Sequence, residues 1–573
     1  MRRGDEARAS LPEPLGFHQT SVIEMKKPTL LLLSILAALL LSIPFFQWGN
    51  GLFGLVAFVP LLLIEQDVAE KKAAGQKARL LPWALLSFAL FVAMTTYWVY
   101  WATWVGIIAS IVVNAGYMSL VFWAFHLVKR RTGKRLGYSS FLFFWLCFEF
   151  LYLRAQINFP WLILGNSFAK EPALVQWYEL TGPLGGSLWI LLTNLLVFRL
   201  SAYFVETGRR KQLSKATNAA KIKAFYADNK SLLLLTLLLL IIPISASLLR
   251  FYSYEEKGKG YEVLVLQPNI DPYLKFNDMP QSLQTAHLLA VADSLCGPET
   301  DYIVGPETFL NSGIWEERMQ LHEDVRQLYA FLSNYPNAKL VIGATTYRLY
   351  SEPSSFTETC RPIGNSNERY DSFNTAFQLD STSQIPVYHK SLLVAGVETM
   401  PHARLLGFLE KLTVRLGGTF RSHGTQKERS TFASPQDGTR VGPVICWESV
   451  FSEFVTGYVK DAGANFLFII TNDGWWKNTP GHKQHNDFAH LRAIENRRSI
   501  ARSANTGISS LIDQRGREIE RLGWWKRGGI KAILHKNEQL TFYTRHGDYI
   551  GRVSVFLSLI LLLYSLLIRF IRK

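Results

Sequence analysis

Long uncharged runs constrain this chain more than any other feature. Eight segments, near residues 28–46, 50–65, 80–101, 105–128, 138–156, 183–204, 231–250 and 553–571, are apolar over lengths that suit the core of a bilayer. A helix rising about 1.5 Å per residue needs roughly 20 residues to cross about 30 Å of hydrocarbon. Water does not satisfy the backbone there, so such runs must fold as helices. The second run is the shortest, and Pro60 interrupts it. Between the seventh and eighth runs, residues 251–550 have the composition of an aqueous α/β domain. Hydrophobic residues make up 49% of the chain and charged ones 18%, with mean hydropathy +0.09. The aromatic content, the lack of a repeat and only four cysteines exclude disorder, collagen and a small disulfide scaffold.

The net charge of +16 would suit nucleic acid if it gathered on one soluble face. It clusters instead in alternate connections between the apolar runs. Lys26 and Lys27 precede the first run; Lys71, Lys72, Lys77 and Arg79 follow the second; Lys129, Arg130, Arg131, Lys134 and Arg135 follow the fourth. Seven more bases lie between Arg209 and Lys230, and Arg569, Arg572 and Lys573 end the chain, whereas the intervening connections are nearly bare. Lys and Arg near span ends stay on the cytoplasmic side. Both termini are therefore expected in the cytoplasm, and residues 251–550 beyond the membrane. The expected division is an extension over 1–25, seven spans over 26–250, the aqueous domain over 251–550, and a last span with a cytoplasmic tail over 551–573. Residues 1–24 are polar and aperiodic, and Met25 followed by two lysines suits a start, so the extension is expected to be disordered or artefactual. The first run lacks a small-residue cleavage site and is expected to remain as an anchor.

Within the aqueous domain, short β-branched runs at 261–267, 301–305, 339–344, 373–379, 385–389, 441–446, 464–471 and 507–513 alternate with helix-period stretches at 280–296, 316–334, 449–460 and 483–502. That order predicts a layered α/β architecture, in which functional residues sit just past strand C-termini. Glu307, Lys390 and Cys446 each close an apolar strand in this way. A glutamate, a lysine and a thiol on one sheet rim would support acyl transfer: a base for the thiol proton and a cation for the oxyanion. Taken singly, each has an ordinary reading as a packing, turn or solvated residue. His482, His485 and His490 lack the i, i+4 spacing of a helical zinc site, and no Walker phosphate loop is present. Cys147 lies within a span as a packing residue; if a disulfide forms in the aqueous domain, Cys296–Cys360 is the pair.

Three motifs single out the triad. Gly305-Pro306-Glu307, Tyr388-His389-Lys390 and Val444-Ile445-Cys446-Trp447-Glu448 follow the order and spacing of the carbon–nitrogen hydrolase (nitrilase) superfamily, which uses a Glu–Lys–Cys triad on an αββα sandwich. With seven spans before that domain and one after, the chain resembles the apolipoprotein N-acyltransferase family from Lys26 to its C-terminus. The stretches Thr471–Lys477, Gln484–Arg498, Asn505–Gly507, Thr544–Asp548 and Phe159–Trp161 carry the likeness further. The fold this implies is an α-helical polytopic membrane domain of about eight spans with an extracytoplasmic nitrilase-like αββα sandwich. The roles it implies are general base for Glu307, oxyanion-side cation for Lys390 and nucleophile for Cys446. Glu398, Trp447 and Glu448 match supporting positions, with Phe276 at a substrate-lining one. The chain departs from the family at Ala395-Gly396-Val397-Glu398, where Pro-Phe-Gly-Glu is usual, and at Phe276, where Trp is usual after Lys275.

The resemblance implies transfer of an acyl chain from the sn-1 position of a phospholipid to the α-amine of an S-diacylglyceryl cysteine, through a thioester on Cys446. It implies no cofactor, metal or nucleic acid, a monomer, and a bacterial inner-membrane setting. Two apolar stretches are expected as membrane-facing arms: Leu392–Val397 with Leu405–Leu412, and Trp475 with Trp476. A tethered amidase acting on small amides would share the triad without accounting for the spans. A transporter would place ionisable groups along a central path, and within the spans only Glu149, Arg154 and Arg199 stand out, mostly near ends; Glu149 has no evident partner in the sequence.

Overall fold

The computed structural model describes residues 25–209, 218–395, 397–399 and 422–571. Residues 1–24 and the Leu405–Leu412 part of the expected arm lie outside these. Each of the eight apolar runs is helical. They form α1 (Lys27–Ser42), α2 (Val59–Ala73), α3 (Leu81–Thr96), α4 (Trp104–Thr132), α5 (Lys134–Tyr152), α6 (Tyr178–Arg209), α7 (Asn218–Ser253) and, at the end of the chain, Tyr549–Ile571. Among the described residues, six of the eight are long and apolar enough to cross a membrane on their own. The other two are α3, with 16 residues, and α5, whose first turn carries Lys134 and Arg135.

Local chemistry accounts for the departures from the expected limits. The second run begins as a 3₁₀ turn, Gly51–Val56, and breaks before Pro60. Asn194 of α6 spans the break, accepting from Phe58 N at 2.7 Å and donating to Gly54 O at 2.8 Å. The run then continues past residue 65 because its charges are paired: buried Glu65 accepts from Lys129 of α4 and lies 2.8 Å from His126 Nδ1, and Lys71 meets Asp67 at 2.9 Å. A kink at Gly182 (φ 60) opens α6. A Cβ there would lie 2.2 Å from the Tyr543 ring, so the approach to the last span seats against a position that only glycine fills without strain.

Glu149 has one partner a turn earlier in α5 and one in the loop after it. Its Oε1 accepts from Trp145 Nε1 at 3.1 Å and from Leu164 N at 2.9 Å, fixing the segment that carries Phe159 and Trp161. Glu149→Ala leaves two buried donors unpaired, at about 1–3 kcal/mol each. It is expected to lower the melting temperature in detergent, whereas Glu149→Gln, which keeps an acceptor oxygen, is expected to melt close to the parent protein.

The aqueous domain places two sheets face to face. The first contains β1 (Gly260–Gln267), β2 (Thr300–Val304), β3 (Leu310–Trp315), β4 (Lys339–Tyr350), β5 (Arg361–Pro362), β6 (Arg369–Leu379), β7 (Val387–His389) and β14 (Gly528–His535). Its main path runs β14-β1-β2-β4-β6-β5, with β3 on β4 and β7 on β6. The second runs β13-β12-β11-β10-β9-β8, from Glu518–Leu522, Ser509–Ile512, Ile500–Ala504, Phe466–Thr471, Arg440–Ile445 and Phe432–Ala433. Val263, Val304 and Val341 of the first sheet meet Val444, Phe468 and Ile500 of the second. Helices α8 (Gln281–Asp293) and α9 (Glu323–Leu332) cover the outer face of one sheet, and α10 (Ser452–Lys460) and α11 (Pro480–Asn496) that of the other. The result is the αββα sandwich. Helix α11 ends earlier than its pattern predicts, at Arg497 (φ 49), and the chain turns into β11.

All four cysteines are free thiols, which corrects the Cys296–Cys360 expectation. Cys296 precedes β2 and Cys360 precedes β5, with β4 and β6 between those strands. At the usual strand spacing that is roughly 14 Å, twice the reach of a disulfide.

The two domains share one core. The apolar cluster of α1 to α6 runs on through Trp447, Val450, Phe451, Phe488, Leu491 and Ile494 into the second sheet's helices. Gln484 of α11 stitches the seam, accepting from Trp161 Nε1 and donating to Phe45 O, both at 2.8 Å.

Candidate active site

The three residues chosen from strand ends converge. Glu307 lies in the turn after β2, where Gly305 N and Gly343 N tie the turn to β4. Lys390 follows β7, and its own N–H bonds Asn374 O of β6. Lys390 Nζ, 1% exposed, donates to Glu307 Oε1 and to Glu398 Oε1, each at 3.0 Å. Burial works against its charge, but the two carboxylates outweigh it and raise the ammonium's pKa well above the lysine range. Burial likewise opposes ionisation of Glu398, and Lys390 overcomes it, leaving that carboxyl lowered.

Cys446 leaves β9 with φ 48, a left-handed conformation that turns the chain sharply into the Cys446–Val450 3₁₀ turn. The residue as a whole is half-buried. Burial raises the thiol pKa well above its usual value; Glu307 and Asp473 push the same way and Lys390 opposes them. A thiol held this firmly needs a base at the moment of reaction.

Glu448 fastens the two halves of the site together. Its Oε1 accepts from Tyr388 OH and Ser391 N at 2.7 Å and from Leu392 N at 3.3 Å, all around Lys390. Its Oε2 accepts from Ile445 N at 2.8 Å and Tyr458 OH at 3.0 Å, beside Cys446.

The aromatic candidates separate into two groups. Trp447 stacks on Trp161 with centroids 5.5 Å apart, joining the residue after the cysteine to the membrane domain. Trp476 also turns inward, 4.8 Å from Trp98 and 5.8 Å from Trp161, rather than outward as an arm. Trp475 stacks on Phe276 at 6.0 Å and meets Tyr273 at 5.5 Å. Tyr273, Leu274 and Phe276 are exposed, forming an apolar lip beside the Glu307 turn. Leu392 and Val394 lie against the membrane-domain core.

Sequence reasoning missed several residues here. Asn374 donates to both Glu307 Oε1 (2.8 Å) and Glu398 Oε1 (2.9 Å) through one amide nitrogen. Lys275, 1% exposed, donates to Glu307 O at 3.2 Å. Behind the sulfur, Thr471, Asp473, His485 and Arg502 form a buried network. The signal for Thr471 and Asp473 was present: they close the wholly apolar β10, as the triad residues close theirs. Cys446, Asp473 and His485 bring metal-type atoms within 4.8 Å of one another. The Arg502 guanidinium on Asp473 Oδ2 at 2.7 Å repels a cation there, and the set reads as a hydrogen-bonding network.

Comparison with known proteins agrees with this architecture. The family model for the apolipoprotein N-acyltransferase N-terminal domain matches residues 37–196, and that for carbon-nitrogen hydrolase matches 259–537. An apolipoprotein N-acyltransferase of Chlorobaculum tepidum is 27% identical over 543 residues, covering 93% of this chain and 96% of that protein. One from Geobacter metallireducens is 28% identical over 531 residues, covering 90% and 91%. Among solved structures, a CN-hydrolase superfamily protein of Xanthomonas campestris aligns at a TM-score of 0.34 and 15% identity, over 52% of this chain and 97% of that one. The chain belongs to the apolipoprotein N-acyltransferase family, an integral membrane acyltransferase built on a carbon–nitrogen hydrolase domain.

Proposed function

We propose that the protein moves an acyl chain from the sn-1 ester of a phospholipid to the α-amine of an S-diacylglyceryl cysteine at a lipoprotein N-terminus. The observation that carries this reading is the placement of Glu307, Lys390 and Cys446 directly beside the aromatic seam of Trp161, Trp447 and Trp476. A soluble amidase has no use for a nucleophile whose next residue, Trp447, packs into a core of membrane helices. In the first half-reaction Glu307 takes the Cys446 proton and the thiolate attacks the ester carbonyl, with Lys390 facing the oxyanion. The C–O bond then breaks, and the proton passes from Glu307 to the departing lysophospholipid oxygen. In the second, the lipoprotein amine attacks the thioester and gives up a proton to Glu307, the C–S bond breaks, and Glu307 passes that proton to the departing sulfur to restore the Cys446 thiol. A thioester can acylate an amine without ATP, so neither half-reaction calls on a cofactor or metal, and one monomer holds the whole site.

Both substrates carry chains worth about 0.8 kcal/mol per buried CH₂, which holds them in the bilayer and demands a site at its surface. The alternating Lys and Arg clusters favour cytoplasmic termini and a catalytic domain on the periplasmic face of the inner membrane. The exposed lip of Tyr273, Leu274 and Phe276 with Trp475 suits substrate entry from lipid. Incubating the purified protein with phosphatidylethanolamine is expected to add the mass of one acyl chain, removable by hydroxylamine and absent in Cys446→Ala. A folded protein that gains no adduct would return the reading to hydrolysis of small amides.

A further inference from the structure

By heavy-atom geometry Thr471 Oγ1 is placed to donate to either of two groups, Cys446 Sγ at 3.2 Å and Asp473 Oδ1 at 2.8 Å. A threonine hydroxyl has one proton and two lone pairs, so it cannot donate to both. The choice is fixed by what Asp473 can do. Arg502 donates to its Oδ2 at 2.7 Å, and His485 Nδ1 lies 2.9 Å from its Oδ1. Burial works against ionisation, but the guanidinium and imidazole outweigh it and hold the carboxyl well below the usual range. An ionised carboxylate only accepts. Its charge-assisted bond outbids a neutral sulfur for the Thr471 proton, and the threonine's lone pair is left facing the thiol.

We infer that Thr471 is a positioning residue: in the resting enzyme it accepts the Cys446 S–H and, through Asp473, keeps the nucleophile protonated until substrate arrives. The charged and titratable groups around the sulfur are Glu307 and Lys390, carried by the first sheet, with Glu398 bonded to Lys390; Asp473 after β10, bonded to His485 and Arg502; and Glu448, which accepts from Ile445 N. Glu307 and Lys390 offset each other's charge at the sulfur, whereas the Thr471–Asp473 branch adds an accepting oxygen backed by a negative group. When the thiolate forms, Thr471 can donate to sulfur only by releasing Asp473, so the branch favours the thiol.

This inference rests on Cys446 being the nucleophile, and its test needs no acyl donor. The full-length protein in detergent is alkylated with iodoacetamide across a pH series, and Cys446 is followed by peptide mass to separate it from the other three thiols. In Thr471→Val the midpoint of the alkylation profile is expected to fall by about half a pH unit or more, the scale of one lost neutral hydrogen bond. Thr471→Ser is expected to restore it. A midpoint that rises would mean that the hydroxyl donates to sulfur, and an unchanged one that it has no hold on the thiol; either overturns the assignment. Asp473→Asn frees the threonine proton and is expected to lower the midpoint as well, but less when Thr471→Val is already in place. Equal shifts in the two backgrounds would mark a plain charge effect and also overturn it.

Discussion

Lys390→Met is expected to lower acyl transfer by at least about 10³-fold, the scale on which a preorganised oxyanion donor acts. The loss has a second source on the same side of the site. Glu307 and Glu398 both point at Lys390 and share the amide nitrogen of Asn374. Without the ammonium, two buried carboxylates cannot both stay charged, and one takes up a proton. Breaking a buried ion pair commonly costs about 3–5 kcal/mol, but that proton limits the damage to the fold. The variant is therefore expected to fold and be inert at neutral pH, with residual activity that climbs as the shared proton is lost. In the parent protein the signs run the other way. The lowered Glu398 contributes stability above the ordinary glutamate pKa, lost as pH falls through its folded value. The raised Lys390 contributes below the ordinary lysine pKa, lost as pH rises through its own folded value. Lys390→Arg keeps the charge, but a planar fork does not fit between two carboxylates arranged around one nitrogen. Rates and melting curves across pH for the three proteins decide the matter: a Lys390→Met protein that keeps a tenth of parental activity would remove Lys390 from the chemistry.

How much of this was legible in the sequence follows from which forces leave a local trace. Membrane helices do, because hydrocarbon demands uninterrupted apolar runs, and each of the eight was visible. Their ends were less so. The charged turns of α2 are stabilised by His126, Lys129 and Lys71, two of which lie over sixty residues from Glu65. Apolar strands of the sandwich were legible; β11 was hidden because Arg502 and Ser503 interrupt its pattern, although both are buried and paired with distant groups. The triad stood out through strand ends and a resemblance, whereas Asn374 occupies the middle of a strand where nothing local distinguishes it from packing. Glu149 looked anomalous in a span because one of its two partners, Leu164 N, belongs to a loop the apolar pattern does not describe. The inward turn of Trp476 depends on Trp98 and Trp161, aromatic positions that only the folded chain brings together.

Glu448→Ala is expected to be the most damaging single change outside the triad. The carboxylate accepts from three backbone N–H groups and two phenols: Ser391, Leu392, Ile445, Tyr388 and Tyr458. It is fully buried, and burial raises its pKa against the pull of those donors. The phenols can turn to other partners, but the backbone donors cannot. Three orphaned N–H groups at about 1–3 kcal/mol each imply a loss of at least about 3 kcal/mol. The same cut releases the Lys390 loop from the Cys446 turn, and a displacement near 1 Å between reacting groups can cost about 10²-fold in rate. Glu448→Gln separates stability from charge. Its oxygen can still serve the donors on one side, but its amide nitrogen would then face the Ile445 N–H or the Ser391 N–H, donor against donor. Glutamine is therefore expected to fall between alanine and glutamate in melting temperature and to remain at least about tenfold down in acyl transfer. A Glu448→Gln protein with full activity and an unchanged melting temperature would mean that the two sheets align the site without this carboxylate.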